Sequence, residues 1–256
     1  MYDSTKLVSK KVFRELLRLL PALRKKQRGR PRIEKRALLN GILQVLVNGV
    51  TWGRIAPCGC SYISCWRYCN ELQRRGKLKL IYETLAKAKT DIIEGAIDTT
   101  TATSFRFKRM TGWDGKHKKI GTKISLFSDK TGLPADVAFG KGSQHDGGFV
   151  AGHVKQTAGR RKRVLNLDKI YVNLELRRNM RNSGTFVNME MRSRDYRRKR
   201  GPKFSFNKVK YQVRFLVERL NAWLKNFWRI RTRREYKPAM YKAFVYLALI
   251  IILIRS

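Results

Sequence analysis

"VKYQVRFLVERLNAWLKNFWRIRTRR", Val209 to Arg234, sets eight lysines and arginines around a single carboxylate, Glu218. Phe215, Leu216, Leu220, Trp223 and Leu224 recur at helical spacing, so the segment reads as a helix with a packed side that holds it in place. At 100° per residue, Tyr211, Arg214, Glu218 and Lys225 fall in one narrow sector, the pattern Y-x2-R-x3-E-x6-K. A surface ion pair between Arg214 and Glu218 is the plain alternative. Arg before Glu at i,i+4 is the less favourable order, and even good pairs contribute only about 0.3–0.5 kcal/mol. A carboxylate on a rigid helix beside Arg, Lys and Tyr suits a metal-and-phosphate site.

The rest of the chain points to an anionic partner. Its 256 residues include 58 Lys+Arg against 18 Asp+Glu, a formal charge of +40. Self-repulsion on that scale disfavours a compact state unless a polyanion neutralises it, and phosphate backbones do so with release of counterions. With 43% hydrophobic residues the chain is no disordered basic tail. The basic residues spread along the whole length, which fits nucleic acid, DNA or RNA, better than an anionic membrane; double-stranded DNA is the expected partner once the other features are added. The apolar run from Ala243 to Ile254 is shorter than the roughly 20 residues a bilayer needs, so it is expected as a buried helix or strand, with no membrane partner. The opening "MYDSTKLVSKKVF" lacks the apolar core of a signal peptide, so the chain is expected to stay in a reducing compartment that also holds DNA.

Helical periodicity fills the first third. Leu7 to Leu20 is closed by Pro21; a second helix runs from about Glu34 to Asn48 with Gly49 past its end. A third starts near Ser61 or Ser64 and reaches Arg75, and "KLKLIYETLAKA" supplies a fourth. A turn followed by a helix whose polar face carries Arg67 and Arg74 resembles a helix-turn-helix reader of the major groove, although a helical bundle with a solvated basic face has the same pattern. Arg28-Gly29-Arg30-Pro31 resembles the AT-hook tetrapeptide, whose arginines enter a narrow minor groove; a basic linker would look similar. All four cysteines, Cys58, Cys60, Cys65 and Cys69, fall within twelve residues. Thiolates are zinc ligands, but C-x-C-x4-C-x3-C lacks the paired C-x2-C knuckles of common zinc sites, and cysteine is also a small core residue.

After about Thr90 the texture turns to strands: "DIIEGAIDTTTATSF", a hairpin of "HKKIGTKISLFSD" and "LPADVAFG" around "DKTG", then "KRVLNLD" and "TFVNMEM". Helix follows from about Lys208. The expected fold class is α/β: a helical domain over 1–89, then a mixed sheet flanked by helices over 90–256. Asp98 and Asp168 each end a short apolar strand, where the sheet fixes their direction. With Glu218 they make three hard-oxygen donors, able to hold two Mg2+ or Mn2+ ions about 3.5–4 Å apart for in-line phosphoryl displacement. His117 and His153 lack metal-ligand spacing and are expected to face solvent. Asp146 reads equally as a turn residue or as a support to the acids.

These segments together resemble insertion-sequence transposases of the DDE type, close to the insertion-sequence-five group. "LLRLLPALRKKQRGRPRIEKRALLNGILQVLVNGVTWGRI" is similar to that group's helical end-binding domain. "GTKISLFSDKTGLPADVAFGKGSQHD" resembles its central hairpin, and "YQVRFLVERLNAWLKNFWRIRTRRE" its Y-R-E-K signature. The resemblance implies an RNase H-like catalytic core with Asp98, Asp168 and Glu218 as metal ligands, and Arg214 and Lys225 on phosphate or the element's end. It implies metal-dependent DNA strand cleavage and transfer by a homodimer bridging two terminal inverted repeats. Tyr211 completes the signature, and Lys169 follows the second Asp as in the family. There the family pattern Asp-Lys-Gly-Tyr-Asp is replaced by Asp168-Lys169-Ile170-Tyr171-Val172. A β-branched residue in place of glycine raises the alternative of a catalytically inactive, transposase-derived DNA-binding protein.

Overall fold

The computed structural model describes residues 8–21, 33–104, 109–156, 163–171, 174–182, 184–190 and 206–256. Arg28 and Arg30 lie outside the described residues, as does the basic stretch 193–205.

The early periodicity becomes four helices, α1 (Lys10–Leu19), α2 (Lys35–Asn48), α3 (Tyr62–Arg74) and α4 (Lys77–Lys89). Ser9 caps α1 by accepting from the Val12 N–H, and Ser61, rather than Ser64, caps α3. Gly49 closes α2 in the left-handed conformation, φ 68°. The Lys35 ammonium donates to the Leu20 carbonyl at the end of α1 (2.8 Å), and the Tyr68 hydroxyl to the Pro21 carbonyl (3.2 Å). These bonds tie the chain ends on either side of residues 22–32.

The strands are β1 (Glu94–Ser104), β2 (Gly112–Asp114), β3 (Lys119–Asp129), β4 (Pro134–Lys141), β5 (Arg163–Asn166), β6 (Thr185–Asn188) and β7 (Thr232–Arg233). Between them lie α5 (Val150–Gln156) and α6 (Leu174–Asn182); α7 (Lys208–Tyr211), α8 (Arg214–Lys225) and α9 (Trp228–Arg231) precede β7, and α10 (Pro238–Arg255) ends the chain. The sheet order is β2-β3-β1-β5-β6, with β4 also on β3 and β7 on β1. β2, β3 and β4 are antiparallel neighbours, whereas β5 and β7 run parallel to β1 and β6 parallel to β5. This is the mixed sheet expected. The "DKTG" turn forms because Asp129 accepts from the Thr131 and Leu133 amides and Gly132 adopts φ 88°.

Two compact units assemble from pieces distant in sequence. One comprises 1–85, 103–109 and 223–256; the other comprises 86–102 and 110–222. In the first, α10 is a core helix: Met240, Tyr241 and Ala243–Leu253 are buried. Its 18 residues have the length and composition to cross a membrane, but the fold buries 72% of them. In the second, Ile97, Phe127, Val150, Val154, Leu165 and Tyr171 join the sheet to the helices against it.

One of the two histidines departs from expectation. His153 is 1% exposed, because Nδ1 meets Asp136 Oδ2 at 2.7 Å and Nε2 meets Ser125 Oγ at 2.8 Å. A ring with both nitrogens partnered loses nothing by burial. His117 is exposed, as expected, and pairs with the buried Asp114 at 2.9 Å.

Candidate active site

Strand pairing places two of the acids. β1 and β5 pair in parallel with Gly95 opposite Leu165 and Ala96 opposite Asn166. Asp98 lies on β1 two residues past the last paired position, Ala96, and Asp168 lies two residues past the end of β5, so both acids stand just beyond the β1–β5 ladder. The ladder is held at that point by asparagines. Asn166 Nδ2 donates to the Gly95 carbonyl (3.2 Å), and Asn188 Nδ2 to Asn166 Oδ1 (2.7 Å). Asn188 also exchanges hydrogen bonds with the backbone of Asn207, which caps α7. The segment leading to Glu218 is thus anchored to the ends of the parallel strands.

The helix expected from residue 208 is interrupted. α7 ends at Tyr211 and α8 starts at Arg214; the junction is closed by tighter i→i+3 bonds, Val213 N–H to Lys210 and Leu216 N–H to Val213. Tyr211 and Arg214 stay adjacent, with the guanidinium 5.9 Å from the ring centroid. From the first turn of α8, Arg214 Nη2 reaches both Asp168 Oδ2 (3.1 Å) and Glu218 Oε1 (3.0 Å). From the next turn, Asn221 Nδ2 donates to Asp98 Oδ2 (2.8 Å). One face of one helix therefore touches all three acids.

Electrostatics follow from that crowding. Burial pushes the Asp98 carboxyl above its ordinary range, against the opposing pull of the Thr99 amide, Arg214, Lys116 and Asn221. For Arg214, desolvation acts downward, but Asp168, Tyr211, Glu218 and Asp98 outweigh it and hold its pKa above the usual value. Burial raises the Tyr171 phenol, and the charges of Asp98, Asp146 and Asp168 raise it further. Asp146 is no solvent-facing turn residue: it is 5% exposed and paired with Lys123 at 2.6 Å.

The three acids offer oxygen donors of the kind divalent cations take, although among the described residues only Cys58, Cys60 and Cys65 have ligand atoms all within 4.8 Å of one another. A guanidinium nitrogen already bridges two of the acids as a positive charge, and the Asn221 Oδ1 is buried with no hydrogen-bond partner among the described residues. Of the remaining expected residues, Lys169 is exposed next to Asp168, Lys225 is exposed at the end of α8, and Arg67 and Arg74 are exposed on α3. Residues 169–171 form a 3-10 turn, closed by the Tyr171 N–H to the Asp168 carbonyl (3.0 Å). That backbone has negative φ, which a β-branched residue adopts, so the turn does not require glycine at Ile170. Sequence reasoning missed Asn221, Asn166, Asn188 and Asn207; only Asn221 carried a signal, three residues from Glu218 on the same helical face.

Residues 89–254 match the family model described as "Transposase DDE domain", and residues 8–82 match one described as "Putative transposase of IS4/5 family". No protein of curated function matches the sequence. A cryo-EM structure of the piggyBac transposase synaptic complex with hairpin DNA is similar in fold, with 14% identity and a TM-score of 0.56 over 98% of this chain and 72% of that one. The sheet and its flanking helices accordingly have an RNase H-like arrangement.

Proposed function

The chain belongs to the DDE transposase family, and from that premise we propose that it binds the ends of an insertion sequence and cuts and joins DNA strands there with Asp98, Asp168 and Glu218. The observation that carries the proposal is the span of α8 across all three acids, through Arg214 to Asp168 and Glu218 and through Asn221 to Asp98.

These carboxylates would hold Mg2+ or Mn2+, in the proposed arrangement two ions; when bound, such ions activate a water or 3′-hydroxyl and stabilise the leaving oxygen. Asn221 orients Asp98, whose burial favours neutralisation by a cation. Arg214 balances Asp168 and Glu218 before cations arrive and is then available to a phosphate oxygen, for which its planar fork is suited. Lys169, Lys225 and Tyr211 are proposed to contact the backbone near the cut, and Arg67 and Arg74 to meet the element's end. In this scheme hydrolysis frees a 3′-hydroxyl, which attacks target DNA, so no covalent bond to the protein forms. Two ends call for two chains, hence a homodimer on DNA. The piggyBac complex contains DNA, and the charge of +40 supports the same class of partner here.

The test is divalent-dependent nicking of duplex DNA carrying the element's end. Asp98→Ala should lower the nicking rate by about 100-fold or more, since loss of even an outer partner of a metal site costs about 10–100-fold. DNA binding should persist. Unchanged nicking by Asp98→Ala would remove the assignment.

A further inference from the structure

Three of the four cysteines come together, despite a spacing without paired knuckles. Cys58 Sγ lies 3.6 Å from Cys60 Sγ, which lies 3.3 Å from Cys65 Sγ, and all three sulfurs are within 4.8 Å of one another. All are free thiols. Cys69, one turn further along α3, is buried and stands outside the group.

The local backbone assembles the group. Gln44 on α2 clamps Ala56 through both amide ends, Oε1 from its N–H (2.7 Å) and Nε2 to its carbonyl (3.3 Å). Gly59 turns the chain through φ 84° between Cys58 and Cys60, and the Ser61 cap starts α3 so that Cys65 sits one turn into it. Opposite, α2 presents Gly41. A Cβ there would stand 2.5 Å from Cys65 Sγ and 3.2 Å from Cys58 Sγ, so the missing side chain is what admits the sulfurs.

We propose that Cys58, Cys60 and Cys65 form a thiolate site for one Zn2+, fastening the loop before α3 to α2. Four ligands at a Zn–S distance of about 2.3 Å define a tetrahedron of edge about 3.8 Å, and the observed sulfur separations lie close to it. The backbone brings the sulfurs together, but thiols are weak donors and weak acceptors, so a cation would supply the strong bonds among them. Three protein ligands leave one tetrahedral position. Cys58 borders a pocket of about 400 Å³ lined also by Glu34, Asn40 and Gly59, which has room for a water or small solute as the fourth ligand. The site is independent of the carboxylates and of any reading of them. Its consequence is a steadier α3, the helix with exposed Arg67 and Arg74.

The experiment uses the full chain, purified under reducing conditions. Elemental analysis after dialysis against a weak chelator should find one zinc per chain. Replacement by Co2+ should give the thiolate-to-cobalt charge-transfer band, which carboxylate-bound cobalt cannot produce. Cys58→Ser, Cys60→Ser and Cys65→Ser should each weaken zinc by about 10–100-fold or more, at least the loss seen for outer-sphere partners. Cys69→Ser should retain the metal, and so should Cys58→His, because imidazole replaces a thiolate ligand. Should the serine variants fail to fold, the wild-type chain still decides: zinc should shield three of its four thiols from alkylation. Absence of a cobalt–thiolate band, equal alkylation with and without zinc, or a disulfide found in place of metal would each overturn the site.

Discussion

Replacing Arg214 with methionine should weaken the metal-free fold and sharpen its response to divalent cations. The Arg214 Nη2 makes two charge-assisted contacts, 3.1 Å to Asp168 and 3.0 Å to Glu218. Hydrogen bonds to charged groups contribute about 1.5–3 kcal/mol when sheltered, and exposed ion pairs only about 0.2–1 kcal/mol. Arg214 and Asp168 are each 22% exposed and Glu218 is 47% exposed, so the first contact lies near the sheltered value and the second near the exposed one. Their sum is about 2–4 kcal/mol. At about 2–4 °C per kcal/mol for a chain of this size, the apparent melting temperature should fall by about 4–16 °C. Methionine keeps the packing of the stem but removes the charge that competes with a cation. Mg2+ should therefore bind the variant more tightly, and stabilisation by a ligand grows as RT ln(1 + [L]/Kd). Thermal melts of both proteins across a Mg2+ titration supply the readout. Equal Mg2+-induced shifts in the two proteins would refute the idea that the guanidinium sits where a cation is wanted.

Two other perturbations test the charge balance of each unit. Asp98 carries a folded pKa raised above 3.8, so the folded state binds more protons than the unfolded one between those values, and stability falls as pH rises through that window. Asp98→Asn should abolish this slope and raise the metal-free melting temperature at neutral pH while lowering nicking; melts from pH 3 upward that remain parallel for both proteins would contradict it. In the first unit, Arg229 and Glu235 form a pair 5% and 3% exposed. Glu235→Ala leaves a buried guanidinium uncompensated, with an expected loss of about 3–5 kcal/mol in urea unfolding. A loss below about 1 kcal/mol would show that the Val50 carbonyl, 3.3 Å from Arg229 Nη1, suffices.

Much of the candidate site was legible because its residues stand on regular elements. Asp98 and Asp168 stood out as acids after apolar runs, and Glu218 by its isolation on a basic, amphipathic helix; Asp98, expected at a strand end, lies mid-strand in β1, and Asp168 lies two residues past β5. What spacing does not encode is the parallel pairing of β1 with β5, just beyond which both acids stand, since Ala96 meets Asn166 only through a pairing across seventy residues. The asparagine relay from Asn166 to Asn207 was invisible for the same reason: single polar residues in strands read as ordinary until their partners are known. His153 was misread because burial of a histidine depends on whether Asp136 and Ser125 arrive to satisfy it.

The sequence by itself determined the periodicities, and with them the four leading helices, the hairpin at Asp129–Gly132 and the apolar C-terminal segment. It also determined the charge, hence the class of partner. Tertiary structure alone decided which segments share a core: α10 is packed with the N-terminal helices, far from it in the chain. It decided as well that Cys58, Cys60 and Cys65 converge while Cys69 does not, through the turn at Gly59 and the vacancy of side chain at Gly41. The physical reason is common to both. Local propensity acts over one or two turns of chain, whereas burial and side-chain pairing are settled between surfaces that meet only when the chain has folded.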